Sequence, residues 1–149
     1  MNVPDRLAAL ADFYETLSPE TLAQLPDFYD EHARFVDPFN DVTGHPGIAR
    51  IFADMFEKLE SPRFVVTGCY AASANTPLDE AMLRWELRFK NRHLGVGEQA
   101  IEGTTRLRFG PDGRVILHRD YWDAAGELYA KLPLLGGPIR WLARRFKSA

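Results

Sequence analysis

Apolar positions set the outline of the chain. Leu7, Leu10, Phe13 and Leu17 recur at helical spacing with Tyr14 beside them, behind Pro4 and Asp5, which suit a first helical turn; Ser18-Pro19 ends the run. A shorter helical piece over Glu20 to Tyr29 leads into the extended run "EHARFVDP", where Pro38 biases Asp37 towards extended geometry. The clearest periodicity follows Thr43-Gly44-His45-Pro46. Ile48, Ile51, Phe52, Met55, Phe56 and Leu59 share one face of a helix that Ser61-Pro62 should close.

From Arg63 to Asp123 the pattern changes to strands: "RFVVTGCYAA", "EAMLRWELRFK", "QAIEGTTRLRF" and "RVILHRDYW". Turn chemistry separates them, with "NTP" after the first, Gly95 and Gly97 after the second and "GPDG" before the last. Helices first and a meander after them predict an α+β fold, with the helices packed on one face of an antiparallel sheet. Alternation places His118, Asp120 and Trp122 on one face of the last strand and Leu117, Arg119 and Tyr121 on the other. On the second long strand it separates Leu83, Trp85, Leu87 and Phe89 from Arg84, Glu86 and Arg88. The apolar set is the natural inner face, because burying three charges is costly.

Composition adds bounds. At 149 residues and 46% apolar, the chain can bury a core as a single globular domain. Its one cysteine, Cys69, has no internal disulfide partner, so a reducing, cytoplasmic setting is expected. The first apolar stretch carries Asp5, Arg6, Asp12 and Glu15, unlike a signal peptide or a membrane span. His32, His45 and His93 have no partners at metal-ligand spacing, and neither a metal nor a cofactor is expected. "GVGEQA" has dinucleotide-site spacing but lies between strands with no helix after it. A net charge of −3 gives no reason to expect a nucleic-acid partner.

That charge is unevenly spread. Residues 131–149 hold Lys131, Arg140, Arg144, Arg145 and Lys147 with no acid, leaving thirteen basic against twenty-one acidic groups, a net of −8, on the preceding 130 residues. The chain is thus divided into a body, 1–130, and a basic tail, 131–149. If Pro138 starts a helix there, Ile139, Leu142, Ala143 and Phe146 form one face, while Arg140, Arg144 and Lys147 gather on another. Residues 138–147 would then suit an anionic membrane surface, the protein's own body, the mouth of a cavity or a partner subunit.

The order of elements, and above all "ARFVDPFNDVTGHPGIARIF", resembles the nuclear-transport-factor-2-like superfamily, and within it the ketosteroid isomerase and SnoaL-like polyketide cyclase group. "LRFGPDGRVILHRDYWD" is similar to the last hairpin of that fold. The resemblance covers residues 1 to about 130. It implies a cone in which helices and a strongly curved sheet enclose one apolar cavity, with His118, Asp120 and Trp122 facing inward. It places Asp37 at the position of the isomerase base, and Asp120 where the cyclases carry an acid–base residue. The isomerases' tyrosine position falls on Phe13, one residue from Tyr14, and Thr105 stands where they keep a protonated acid, so steroid isomerisation itself is not expected.

The expected catalytic set is Asp120, His118, Asp37 and Tyr14. The expected ligand contacts are Trp122, Trp85, Phe52, Met55, Phe56 and Thr105. Two functions suit this set: cofactor-independent acid–base isomerisation or cyclisation of an apolar, carbonyl-containing molecule, or non-catalytic holding of an apolar or lipid-like ligand. Each acid also has a local alternative. Asp37 could cap backbone N–H groups in the turn "DPFND", and Asp120 could be tied to His118 or to an arginine. The open face of the sheet, together with the resemblance, favours a homodimer.

Overall fold

The computed structural model describes residues 2–75, 77, 79–90, 97–127 and 136–147. His93, Gly95, Lys131 and the side chain of Ile139 lie outside the described residues. Helix α1 (Val3–Glu15) starts at Asn2, whose side chain accepts a hydrogen bond from the Asp5 backbone N–H at 2.9 Å and so satisfies one of the unpaired amides of the first turn. It buries Leu7, Leu10, Ala11, Phe13 and Tyr14. A 3₁₀ turn (Thr21–Gln24) and α2 (Leu25–Phe28) deliver the chain to β1 (Tyr29–Val36). A short strand β2 (Asp41–Thr43) turns back on β1 before α3 (His45–Lys58).

Gly44 precedes α3 with a φ of 93°, in the region that favours glycine, and lets the chain turn from β2 into the helix. The long strands β3 (Glu60–Ala71), β4 (Glu80–Lys90), β5 (Glu98–Phe109) and β6 (Val115–Trp122) complete the sheet, followed by α4 (Ala124–Glu127) and α5 (Gly136–Phe146). Ser61-Pro62, expected to separate α3 from the strands, lies inside β3. There the register with β4 shifts between Glu60 and Arg63, and Ser61 has a φ of 49°. An edge strand tolerates that proline because its missing N–H costs no central ladder bond.

The strand order is β2-β1-β6-β5-β4-β3, a six-stranded, curved sheet that does not close. Neighbours are antiparallel except β1 and β6, which run parallel and set Phe35 opposite His118. The inner face follows the alternation in the sequence. Leu83, Trp85 and Phe89 of β4 and Ile101, Thr105 and Leu107 of β5 are buried, while Arg84 is exposed and Glu86 pairs with Arg88 at 2.9 Å. Helices α1 and α3 pack against this face, and Ile48 and Phe52 of α3 join the core.

Candidate functional site

The site is built on β6. His118, 3% exposed, lies against Phe35 of β1, the two rings stacked with centroids 4.1 Å apart. Its Nε2 meets Asp120 Oδ1 at 2.8 Å, two residues along the same face of the strand. An ionised carboxylate only accepts, so Nε2 carries the proton of this bond, and Nδ1 of the neutral ring is an acceptor. Two tyrosine hydroxyls converge on that nitrogen, Tyr14 of α1 at 2.9 Å and Tyr29 of β1 at 2.8 Å, and the hydroxyls also contact each other. Two hydroxyl protons serve three contacts, so one tyrosine donates to Nδ1 and the other to its neighbour's oxygen. Burial is the main cause that raises the ionisation of both tyrosines above the ordinary value, Tyr14 well above it. Both stay protonated across the neutral range.

A second arm reaches Asp120 from β4. Trp85 Nε1 donates to Thr105 Oγ1 at 2.8 Å, and Thr105 donates to Asp120 Oδ1 at 2.5 Å. Both arms end on Oδ1. Charge-assisted bonds of this kind are shorter and stronger than neutral ones, and they offset the cost of holding a largely buried carboxylate. Oδ2 accepts no hydrogen bond among the described residues, yet it is not a buried unpaired atom. It is the free edge of Asp120.

Asp120 also lines a cavity of about 420 Å³ between the sheet and α3. Its walls are mostly apolar, with Phe52 and Met55 of α3, Phe64, Trp85, Leu87 and Trp122 among them. Deeper in, a space of about 20 Å³ bounded by Tyr14, Thr105, His118 and Asp120 has room for one water or one ligand oxygen. Gly103 of β5 shapes the wall, since a Cβ there would overlap the six-membered ring of Trp85. Polar groups at the rim are Asp37, Asn40, Asp54 and Lys58.

The sequence-predicted residues divide accordingly. Asp120, His118, Tyr14 and Thr105 meet in one network, and Trp85, Trp122, Phe52 and Met55 line the adjoining space. Phe56, expected among the ligand contacts, is half-buried on α3 outside the cavity lining, because it falls on the flank of the helical face that Phe52 and Met55 present. Asp37 reaches the rim, but its Oδ1 accepts from the backbone N–H groups of Phe39 and Asn40, each at 2.7 Å, and both oxygens accept from Asn40 Nδ2 at 3.1 Å. It caps its own turn. Tyr29 and Gly103 join the site without being marked by the sequence pattern. The signal for Tyr29 is weak, because a register shift between Tyr29 and Arg34 breaks the alternation that would point to it. Among the described residues no three His, Cys, Asp or Glu side chains gather as metal ligands.

Helices packed on a six-stranded curved, open sheet are the architecture of ketosteroid isomerase-like folds. The SnoaL-like domain model matches residues 10–118, and the chain belongs to that family. Its structural neighbours agree in fold. A protein with a ketosteroid isomerase-like fold from Catenulispora acidiphila, in complex with trimethylamine, superposes with a TM-score of 0.68 at 19% identity over 93% of this chain and 97% of that one. A candidate SnoaL-like polyketide cyclase from Jannaschia sp. CCS1 gives 0.66 at 15% identity, covering 83% and 87%. A limonene-epoxide-hydrolase-like epoxide hydrolase of Mycobacterium tuberculosis gives 0.65 at 15% identity, covering 98% and 96%. No curated protein matches the chain in sequence.

Proposed function

We propose that this protein is a cofactor-independent acid–base enzyme, an isomerase or cyclase acting on an apolar molecule with a carbonyl group. The observation that carries the reading is Asp120 on the wall of an apolar cavity, one oxygen held by His118 and Thr105 and the other without a hydrogen-bond partner among the described residues. In the proposed reaction Oδ2 takes a proton from the carbon next to the carbonyl, and the electron pair moves onto the carbonyl oxygen. That oxygen sits in the small space beside Tyr14. The paired tyrosines supply the donor: Tyr14 turns its O–H to the developing oxyanion while Tyr29 keeps its own on His118 Nδ1. Protonated Asp120 then returns the proton to a different carbon in an isomerisation, or to the alkoxide formed when the enolate closes a ring.

Asp37, already engaged by four donor contacts, has no proton-transfer role in this scheme. The rim carboxylates Asp37 and Asp54 beside Asp120, against the single Lys58, disfavour anionic substrates. The trimethylamine held by the Catenulispora relative is in keeping with that preference.

The test follows the abstracted proton, so the product need not be identified. A panel of apolar ketones is incubated with the protein in deuterated water, and NMR reads deuterium entering next to the carbonyl. Wild-type protein should exchange at least one member of the panel, and Asp120→Asn should lower that rate by about a hundredfold or more. Equal exchange by the two proteins would remove the reading. Retention of an intact apolar compound with no exchange would leave the cavity as a binding site alone.

A further inference from the structure

Helix α5 carries Arg140, Arg144 and Arg145 and no acidic residue, with Lys147 directly after it, on a chain whose first 130 residues have a net charge of −8. Its large side chains are exposed: Trp141 at 54%, Leu142 at 50% and Phe146 at 82%. Leu142 and Phe146 are four residues apart and stand one turn above the other on the same side. At 100° per residue, Arg145 borders that side on one edge and Arg144 falls on the opposite side of the helix; the Arg145 guanidinium lies 5.3 Å from the centre of the Trp141 ring. Exposed apolar side chains with an arginine beside them and a lysine at the helix end, on a helix too short to span a bilayer, suit the boundary between lipid headgroups and acyl chains. There the apolar side chains enter and the basic ones stay level with the phosphates.

We infer that α5 docks the protein on an anionic membrane surface, with Leu142 and Phe146 inserted and Arg145 and Lys147 placed among the lipid phosphates. Charge decides between the possible occupants. A second copy of this chain would present either the same cationic helix or its acidic body, and an acidic body offers no acyl layer for Phe146. A lipid surface offers both partners at once. The acidic body also keeps the rest of the molecule off the membrane, so contact is confined to α5.

The experiment is flotation of the full-length protein with vesicles of phosphatidylglycerol and phosphatidylcholine, against vesicles of phosphatidylcholine alone. Size-exclusion chromatography with light scattering is run on the same samples. Wild-type protein should float with the anionic vesicles, and raising the salt should release it. Phe146→Glu should lower partitioning by about tenfold or more, and Lys147→Glu should weaken it on anionic vesicles. Both residues are exposed, so the fold has no stake in either change, and an unaltered circular dichroism spectrum checks this. Absence of flotation, or flotation that Phe146→Glu leaves unchanged, overturns the inference. If wild-type protein stays off vesicles and Phe146→Glu converts a dimer into a monomer, α5 is a protein–protein surface instead.

Discussion

Tyr14 and Tyr29, fifteen residues apart on different elements, place their hydroxyls within 2.9 and 2.8 Å of one acceptor, Nδ1 of His118. A neutral imidazole nitrogen has one lone pair, so the second hydroxyl is held in reserve. Removing either alone leaves a donor to replace it. Tyr14→Phe and Tyr29→Phe should each lower stability by about 1 kcal/mol. The double variant should cost more than the sum, by about 0.5–3 kcal/mol, because only then is a buried acceptor left unpaired. Urea denaturation of the four proteins measures the cycle, and strict additivity would mean that the two hydroxyls do not share the nitrogen.

The same burial gives an alkaline limit. Both tyrosines ionise above the ordinary value of 10 in the folded state, chiefly because burial disfavours the phenolate. The unfolded chain therefore loses its protons first, and stability is undiminished below pH 10 and falls above it. The slope is about 1.4 kcal/mol per pH unit for each tyrosine that stays protonated in the fold. Absorbance near the phenolate band should show two of the five tyrosines silent until the protein unfolds. Titration of all five in folded protein would contradict the buried pair.

Asp37 caps its own turn, and substitution there tests the role proposed for Asp120. Asp37→Asn keeps an oxygen for the Phe39 and Asn40 amides and should be close to wild type in stability, whereas Asp37→Ala should cost about 1–2 kcal/mol. Deuterium exchange on an accepted ketone should be unaffected by Asp37→Asn. A collapse of exchange with intact stability would transfer the base role from Asp120 to Asp37.

Gly103→Ala tests the cavity wall. The added methyl meets the Trp85 indole, which also donates to Thr105, so the ring must shift and that bond must lengthen. The expected cost is about 1–3 kcal/mol of stability, together with weaker binding of any apolar ligand, read by calorimetry. A variant with unchanged stability would show that the ring has free space on its other side.

Much of this arrangement is legible in the sequence. Strict alternation along "RVILHRDYW" and "EAMLRWELRFK" separates His118, Asp120 and Trp85 from their charged neighbours, because a strand with one buried face has no other way to distribute them. The α3 stripe and the turn chemistry of "DPFND" are equally local. What is not legible depends on pairing. Strand β2 is three residues long, too short for any period, and exists because β1 offers it an edge. Tyr29 precedes an irregularity in β1 that resets its alternation. The missing side chain at Gly103 has meaning only once β4 lies beside β5 and Trp85 leans across it. That β1 runs parallel to β6 follows from no pattern within either strand.

That parallel pairing also dates the site in the life of the chain. His118 meets its tyrosine partners across 89 and 104 residues, whereas Thr105 lies 15 residues from Asp120 and 20 from Trp85. Closing such long loops is entropically slow compared with zipping the β3–β4–β5 meander. The histidine arm therefore assembles only after β6 has left the ribosome and found β1, and a growing polypeptide holding the first five strands has Trp85 and Thr105 in place but neither His118 nor Asp120 to join them.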